Sequence, residues 1–240
     1  MRTLLAFLYV VPATCVTWLG ALLVWPLSRQ GRLGQRFMRL WSRGFLFCAG
    51  LRYDVEGMER ARGGPFLLVA NHASMLDIPF ISAATSIQFL FVSRPFFFHV
   101  PLIGWGMRAT RQISLDPRKP REAARVLRGL HSYFDRGISI ILFPEGTRSP
   151  DGAVHTFRRG PFVTAIENGV PVLPLCLSGL HDALPKGSLR LRAHRLRLAV
   201  GDPIETRGLT RSDARTMAAR VEAWTRETKA RLDGKTSSEP

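Results

Sequence analysis

Residues 120–143 read PREAARVLRGLHSYFDRGISIILF, and this stretch decides the fold class. Its first part, Pro120 to Arg136, has apolar residues at helical spacing, proline in the first turn and Gly137 just beyond the end, which is typical of an amphipathic helix. The second part, Ile138–Phe143, is a short apolar run rich in isoleucine, as expected of a buried strand. A helix followed directly by a buried strand predicts α and β elements packed in layers.

Three more apolar runs of strand length extend this pattern. They are 66–70 (FLLVA), 89–92 (FLFV) and 172–177 (VLPLCL). Because these runs are apolar without alternation, we expect them inside a sheet that is covered on both faces. The sequence therefore predicts an α/β domain over residues 53–234, followed by a polar tail at 235–240.

The carboxyl-terminal part of this domain predicts a hairpin and a helix. Leucine and arginine alternate over 189–193 and again over 196–200, so we expect a half-exposed hairpin with its arginines outward and its turn near His194. Thr210, followed by Asp213, is expected to open a terminal helix that continues to Gly234.

The amino-acid composition limits the classes of molecule that the protein is expected to bind. The 240 residues include 34 Lys plus Arg against 18 Asp plus Glu, a net charge of +16, and 46% are hydrophobic, which excludes a disordered chain. Such a basic surface suits anionic lipid, phosphorylated substrates or nucleic acid. No zinc finger or RNA-recognition signature is present, so we expect no nucleic-acid partner. Three scattered cysteines and histidines without HxxxH or HExxH spacing predict neither a disulfide framework nor a metal site.

The first 52 residues are expected to form a membrane anchor and a basic interfacial helix. From Thr3 to Leu27 there are 25 uncharged residues, about 37 Å if helical, which is long enough to span a bilayer, although prolines also allow a kinked or re-entrant pair of half-helices. An apolar stripe and an arginine stripe follow at helical spacing, typical of an interfacial helix, although a buried helix with a solvated arginine face gives the same pattern. The apolar stripe consists of Leu33, Phe37, Leu40, Trp41, Gly44 and Cys48. The arginine stripe consists of Arg32, Arg36, Arg39 and Arg43. The arginine excess places the following domain on the cytoplasmic side.

The first candidate site is Asn71-His-Ala-Ser-Met-Leu-Asp77, directly after a predicted strand. On a continuous helix a spacing of five leaves two side chains roughly 140° apart, so His72 and Asp77 can meet only if His72 precedes the helix and Asp77 lies in its first turn. Ser74 is a suitable N-cap for such a helix. An aspartate bonded to one imidazole nitrogen leaves the other free as a base. The same residues also fit a simple helix cap beside an ordinary histidine.

The second candidate site is Phe143-Pro-Glu-Gly-Thr-Arg-Ser149, again at a strand end, where α/β folds place ligands. Gly146 allows close backbone approach, Thr147 supplies a hydroxyl and Arg148 a planar fork, which together suit a phosphate. A surface turn with a local Glu145–Arg148 ion pair is the alternative. Downstream, FRRG at 157–160 adds further cations.

Other catalytic motifs are missing from the sequence. There is no GxSxG elbow, no Walker loop and no strand-linked GxGxxG. A histidine–aspartate pair without a protein nucleophile favours direct attack by a substrate hydroxyl.

The order of these motifs resembles the glycerolipid acyltransferases, most closely the bacterial 1-acylglycerol-3-phosphate acyltransferases. The resemblance covers about residues 52–205 and includes the HX4D block at His72 and Asp77, FPEGTR at 143–148, FRRG at 157–160 and VPVLPL at 170–175. One block departs from the family pattern: 111–118 reads RQISLDPR, with Arg111 where the family has glycine and Pro117 before Arg118. Since that block is associated with acceptor binding, the departure bears on the identity of the acceptor.

The resemblance implies a central mixed sheet flanked by helices, and acyl transfer from an acyl-CoA or acyl-carrier-protein thioester to a lysophospholipid hydroxyl. It implies His72 as general base, oriented by Asp77, with the acceptor phosphate held by Glu145, Gly146, Thr147 and Arg148, helped by Arg158 and Arg118. It implies no cofactor, membrane lipid as a partner, and the cytoplasmic face of the bacterial inner membrane as the location. Two alternatives stay open: another acceptor, such as lyso-ornithine lipid, or a non-catalytic basic membrane-binding protein.

Overall fold

The computed structural model describes residues 2–24, 32–101 and 103–234. The end of the apolar amino-terminal run and the polar tail expected at 235–240 lie outside the described residues.

The described chain is organised around a mixed sheet of seven strands. These are β1 (Arg52–Glu56), β2 (Leu67–Ala70), β3 (Phe89–Ser93), β4 (Ile113–Ser114), β5 (Ser139–Leu142), β6 (Val172–Ser178) and β7 (Arg195–Val200), in the order β1-β7-β6-β2-β5-β3-β4. The β6–β7 pair is antiparallel and the other pairs are parallel. The predicted mixed sheet is confirmed, and the four predicted strands are β2, β3, β5 and β6, with ends that differ by at most one residue.

Helices cover both faces of the sheet. They are α1 (Arg2–Val24), α2 (Arg32–Cys48), α3 (Asp77–Ala84), α4 (Pro95–His99), α5 (Ile103–Ala109), α6 (Pro120–Arg128), α7 (His131–Phe134), α8 (Gly160–Asn168), α9 (Leu180–Ala183) and α10 (Ala214–Gly234). The single helix predicted over 120–136 is divided into α6 and α7 at Gly129, whose N–H is shared between the carbonyls of Arg125 and Val126. Glycine has low helix propensity, which explains the break.

Alternate residues of each central strand build two cores. Leu68 and Ala70 of β2 face one core with Phe80 and Ile81 of α3. Leu67 and Val69 of the same strand face the other core, where α8 and α10 pack. This period of two fixes which strand residues point to which layer.

The predicted hairpin is wrong. Residues 189–193 form no strand, and β7 lies between β1 and β6, so it is an interior strand. Arg195 is exposed and pairs with Asp54. Arg197 is buried, 7% exposed, and donates from Nη1 to the Leu232 carbonyl near the carboxyl end of α10, a position that favours a cation. The alternation of leucine and arginine predicted the strand β7, but it could not predict which strands pair with β7.

Helix α2 is confirmed, but its buried face differs from the predicted apolar stripe. Gln35, Met38, Ser42 and Leu46 are buried, whereas Leu40 of the predicted stripe is 69% exposed. The Gln35 side chain donates to the Phe89 carbonyl in β3, so this face packs on the α/β domain.

Helix α1 packs against α2 and presents an apolar row to solvent. The Tyr9 hydroxyl donates to the Trp41 carbonyl at 3.1 Å, and the Trp41 indole donates to the Thr14 hydroxyl at 3.1 Å. Leu4, Leu8, Val16 and Leu19 are more than 60% exposed. Within the described residues, no helix has the combination of length and hydropathy needed to cross a membrane.

Candidate active site

The site begins where β2 ends, at Asn71. Its Nδ2 donates to the Leu177 carbonyl at 3.0 Å, and its Oδ1 accepts the Leu177 N–H at 2.8 Å. The side-chain amide therefore pairs with β6 as a backbone peptide would. Because this side chain meets the hydrogen-bonding needs of the neighbouring strand, the backbone can leave the sheet at the next residue.

His72 and Asp77 are in direct contact at this edge of the sheet. His72 Nδ1 lies 2.5 Å from Asp77 Oδ2, with Asp77 fully buried and the His72 side chain 23% exposed. His72 precedes α3 and Asp77 is its first residue, as the spacing of five requires. In the described part of the chain, His72 Nε2 has no hydrogen-bond partner, so this nitrogen is available to a bound molecule.

The loop between them holds the Asp77 carboxylate in place. The N–H groups of Ala73 (2.9 Å) and Ser74 (3.2 Å) donate to it, and the amino terminus of α3 favours its negative charge. Ser74 does not cap α3 as predicted, since the helix begins three residues later. Instead its hydroxyl accepts the Leu76 N–H and donates to the Leu184 carbonyl at 2.7 Å.

The end of β5 supports His72 from the other side. The Phe143 ring stacks on the imidazole with centroids 4.1 Å apart. Glu145 Oε1 accepts the His72 backbone N–H at 2.9 Å, and the Ser149 N–H donates to the His72 carbonyl at 2.7 Å. Since β2 and β5 are parallel neighbours, their carboxyl ends bring the two predicted motifs together.

Glu145 is buried rather than presented to a ligand. Its residue is 5% exposed, and burial raises the pKa of its carboxyl despite hydrogen bonds from the backbone of His72 and His155. It forms no ion pair with Arg148, so the alternative of a local surface pair is wrong. The geometry places one Glu145 carboxylate oxygen on the His72 backbone, and the predicted contact of Glu145 with a phosphate stays a prediction.

The rest of this loop carries positive charge. Gly146 has φ +74°, and a Cβ there would lie 3.2 Å from the guanidinium carbon of Arg158, which packs directly against it. Thr147 is exposed and Arg148 is half-buried. A residue that the sequence patterns did not indicate joins them: Lys186 donates to the Arg148 carbonyl at 2.9 Å. Loop and cations together form a positively charged surface beside His72, of a kind that suits an anion.

Arg118 lies apart from this group. Its guanidinium forms a two-pronged pair with Asp116 (3.1 Å for each contact) and is 86% exposed. It follows β4, two strands beyond β5 in the sheet, at the same carboxyl edge. Arg111, in the position of the family glycine, adopts φ +58°, the left-handed region that glycine favours. The backbone at position 111 thus has a conformation typical of glycine, although the residue is an arginine.

The described residues contain no cluster of three or more His, Cys, Asp or Glu side chains that could hold a metal. The site instead combines a histidine, held by a buried carboxylate, with a cationic loop, at the carboxyl edge of an α/β sheet. A histidine bonded to a buried carboxylate is a candidate for acid–base chemistry, and the cationic loop beside it is a candidate for binding an anion.

Comparison with known proteins identifies the family. The family model described as Acyltransferase matches residues 52–178, more than half of the chain, and includes both motifs of the site. The chain belongs to the Acyltransferase family.

Named relatives cover more of the chain. A chloroplastic 1-acyl-sn-glycerol-3-phosphate acyltransferase of Arabidopsis thaliana is 33% identical over 156 residues, 64% of this chain and 44% of the relative. A lyso-ornithine lipid O-acyltransferase of Pseudomonas aeruginosa is 32% identical over 198 residues, 75% of this chain and 74% of the relative. This chain therefore spans less than half the length of the chloroplastic relative.

A solved structure shares the fold. The crystal structure of the 1-acyl-sn-glycerophosphate acyltransferase PlsC from Thermotoga maritima has a TM-score of 0.77 and 24% sequence identity, covering 97% of this chain and 98% of the other. The predicted fold class, a mixed α/β sheet flanked by helices, is confirmed by this match.

Proposed function

We propose that this protein transfers an acyl group from an acyl-CoA or acyl-carrier-protein thioester to the free hydroxyl of 1-acylglycerol-3-phosphate, giving phosphatidic acid. The observation that carries the proposal is the 2.5 Å contact between His72 Nδ1 and Asp77 Oδ2, which leaves Nε2 of the imidazole free. The relatives named 1-acyl-sn-glycerol-3-phosphate acyltransferases support the choice of acceptor.

The proposed reaction has two proton transfers at His72. Nε2 removes the proton of the acceptor hydroxyl as the oxygen attacks the thioester carbonyl, and the buried Asp77 carboxylate stabilises the resulting imidazolium. The tetrahedral intermediate then expels the thiolate, which takes the proton back from Nε2. The products are the ester and the free thiol, and no cofactor takes part. A positioned base of this kind contributes a factor of about 10² to 10⁴ in rate.

The loop at 146–148 is proposed to bind the acceptor phosphate. Gly146 lets the Arg158 guanidinium pack directly against the loop, and Arg148 and Arg158 supply charge. The Glu145 carboxylate accepts the His72 backbone N–H, so it links this loop to the base. Its contribution is to the position of the base relative to the bound phosphate.

A membrane surface supplies the lipid acceptor in this proposal. The exposed apolar row of α1 (Leu4, Leu8, Val16 and Leu19) is suited to lie in the lipid interface. Arginines of α2 lie next to it in the chain and suit anionic headgroups. The protein would then take its acceptor directly from the lipid layer on the cytoplasmic face.

The direct test is acyl transfer to lysophosphatidate by detergent-purified protein, wild type beside His72→Ala. The exposed His131 on α7 provides a matched control, His131→Ala. We expect a loss of about 10² to 10⁴ in kcat for His72→Ala and none for the control. A loss of less than tenfold would refute the general-base assignment, and no transfer by the wild type would favour the non-catalytic alternative.

A second acceptor has its own support. The relative from Pseudomonas aeruginosa named lyso-ornithine lipid O-acyltransferase matches three quarters of both chains, and the 111–118 block departs from the family pattern. The same assay with lyso-ornithine lipid in place of lysophosphatidate decides between them by the ratio of the two kcat/KM values. The cationic loop favours the phosphate-bearing acceptor.

A further inference from the structure

Three cations at the loop lack acidic partners. They are Arg148, Arg158 and Lys186, and among the described residues none of them has a carboxylate within salt-bridge distance. Elsewhere arginines do find partners, as Arg60 does with Asp202 at 3.1 Å. Like charges gathered without compensation cost free energy unless an anion binds among them.

Lys186 reaches this loop from a distant segment. Its Nζ donates to the Arg148 carbonyl at 2.9 Å and lies 3.5 Å from the Thr147 hydroxyl. Both partners are neutral, so its charge is not compensated by them. An ammonium has three N–H donors, which leaves one for an incoming oxygen.

A turn sets the direction of this lysine. The Ser188 N–H bonds to the Pro185 carbonyl at 3.1 Å, and Gly187 has φ +85°. A four-residue turn with glycine in the left-handed region at its third position is a type II turn, in which Lys186 occupies the outer second position. The lysine is therefore carried by a short hydrogen-bonded turn.

The turn is also tied to the histidine loop. The Leu184 carbonyl, two residues before Lys186, accepts the Ser74 hydroxyl at 2.7 Å. Leu184 itself is 8% exposed and belongs to the core. Hydrogen bonds thus connect the Lys186 segment to the histidine loop and its ammonium to Arg148. Lys186 lies beyond the residues 52–178 that the family model matches.

We propose that Lys186 binds the phosphate of the acceptor, as a third cation beside Arg148 and Arg158. This inference rests on the proposed function. It identifies Lys186 as a residue that favours an acceptor with a phosphate headgroup over one without. One N–H of the ammonium donates to a phosphate oxygen, while the other two stay on the Arg148 carbonyl and the Thr147 hydroxyl. The phosphates of the acyl-CoA donor have the same chemistry, so the experiment separates donor from acceptor.

The test compares Lys186→Met with the wild type in steady-state assays, varying lysophosphatidate at saturating donor and then acyl-CoA at saturating acceptor. We expect the KM for lysophosphatidate to rise about tenfold, because a hydrogen bond to a charged group is lost at an exposed site, with kcat changed less than twofold. The inhibition constant of glycerol 3-phosphate as a competitor should rise by the same factor. Lys186→Arg should restore most of the affinity.

Arg190→Met is the matched control, since it removes an exposed cation from the same segment. It should leave all of these constants within twofold. An unchanged acceptor KM in Lys186→Met, or a rise confined to the KM for acyl-CoA, would overturn the inference. In either case a wild type that still acylates lysophosphatidate leaves the proposed function standing. A wild type that does not transfer to lysophosphatidate refutes the proposed function first, and the role of Lys186 with it.

Discussion

Replacing Asp77 with asparagine tests the relation between the buried carboxylate and His72. The substitution keeps the shape of the side chain, and its Oδ1 can still accept the Ser74 N–H. With the new NH₂ in the position of Oδ2, the Ala73 N–H loses its acceptor. This NH₂ would face His72 Nδ1, which must then become an acceptor. The proton of the imidazole moves to Nε2, and the nitrogen that should act as base is blocked.

The size of the effect follows from charge and geometry. An imidazolium and a carboxylate about 4 Å apart between charge centres attract each other by about 4 kcal/mol at an effective dielectric constant of about 20. Loss of that attraction in the transition state lowers the rate about 10³-fold. The same substitution in the serine-protease triad, where the aspartate also orients a histidine, costs about 10⁴. We therefore expect kcat to fall by about 10³ to 10⁴.

The assay follows thiol release from acyl-CoA at saturating lysophosphatidate, with circular dichroism and thermal melting to confirm the fold. Asp135→Asn, at an exposed aspartate after α7, is the control and should be fully active. A fall of less than tenfold in folded Asp77→Asn protein would show that the 2.5 Å contact does not set the tautomer of His72.

Three other substitutions probe features around the site. Arg111→Gly should raise Tm by about 1 to 3 °C, since an L-residue at φ +58° is strained; a lower Tm would show that contacts of the arginine side chain outweigh the strain. Burial raises the pKa of Glu145 above its ordinary value of 4.5, so the folded state binds this proton more tightly than the unfolded chain and the free energy of unfolding decreases as pH rises above about 4.5. Glu145→Gln should reduce that slope in urea unfolding between pH 4 and 7, and equal slopes would contradict the role of its burial. The double substitution Leu8→Glu and Val16→Glu should weaken binding to anionic vesicles in flotation assays, and unchanged flotation would argue against α1 as the lipid-facing surface.

The central strands were predictable because burial on both faces leaves a mark in the sequence. Runs such as 66–70 and 172–177 are apolar at every position, and the structure places β2 and β6 there within one residue. The strand β1 carries polar residues and lies at the sheet edge, and β4 has two residues, so neither leaves such a mark.

Strand partners were not predictable, since they depend on contacts across the chain. Residues 195–200 pair with β1, about 140 residues earlier, and with β6. The alternation of leucine and arginine is the same for a hairpin and for an interior strand, so it could not distinguish them. Arg197 is buried because the carbonyl of Leu232 accepts its hydrogen bond, and that partner becomes visible only in three dimensions.

In the candidate site, too, some features were predictable from the sequence and others depended on contacts between distant parts of the chain. The spacing of His72 and Asp77 and the strand end before them allowed their contact, and together with the family resemblance this contact was predictable. The burial of Glu145 under the His72 backbone was not, because the motif by itself reads as a ligand loop. Nor was Lys186, which comes from a turn whose sequence gives no sign of the loop that it contacts.

At the carboxyl end of β2, the pairing with β6 depends on one side chain, that of Asn71. Since its amide stands in for a peptide group opposite Leu177, the last rung of the β2–β6 ladder is formed by a side chain whose torsions must be held by the surrounding packing. Glutamine is one methylene longer and would push the strands apart, while aspartate would place a charge against the Leu177 carbonyl at a position that is 2% exposed. The placement of the neighbouring imidazole therefore depends on the length and neutrality of a residue that need not touch any substrate.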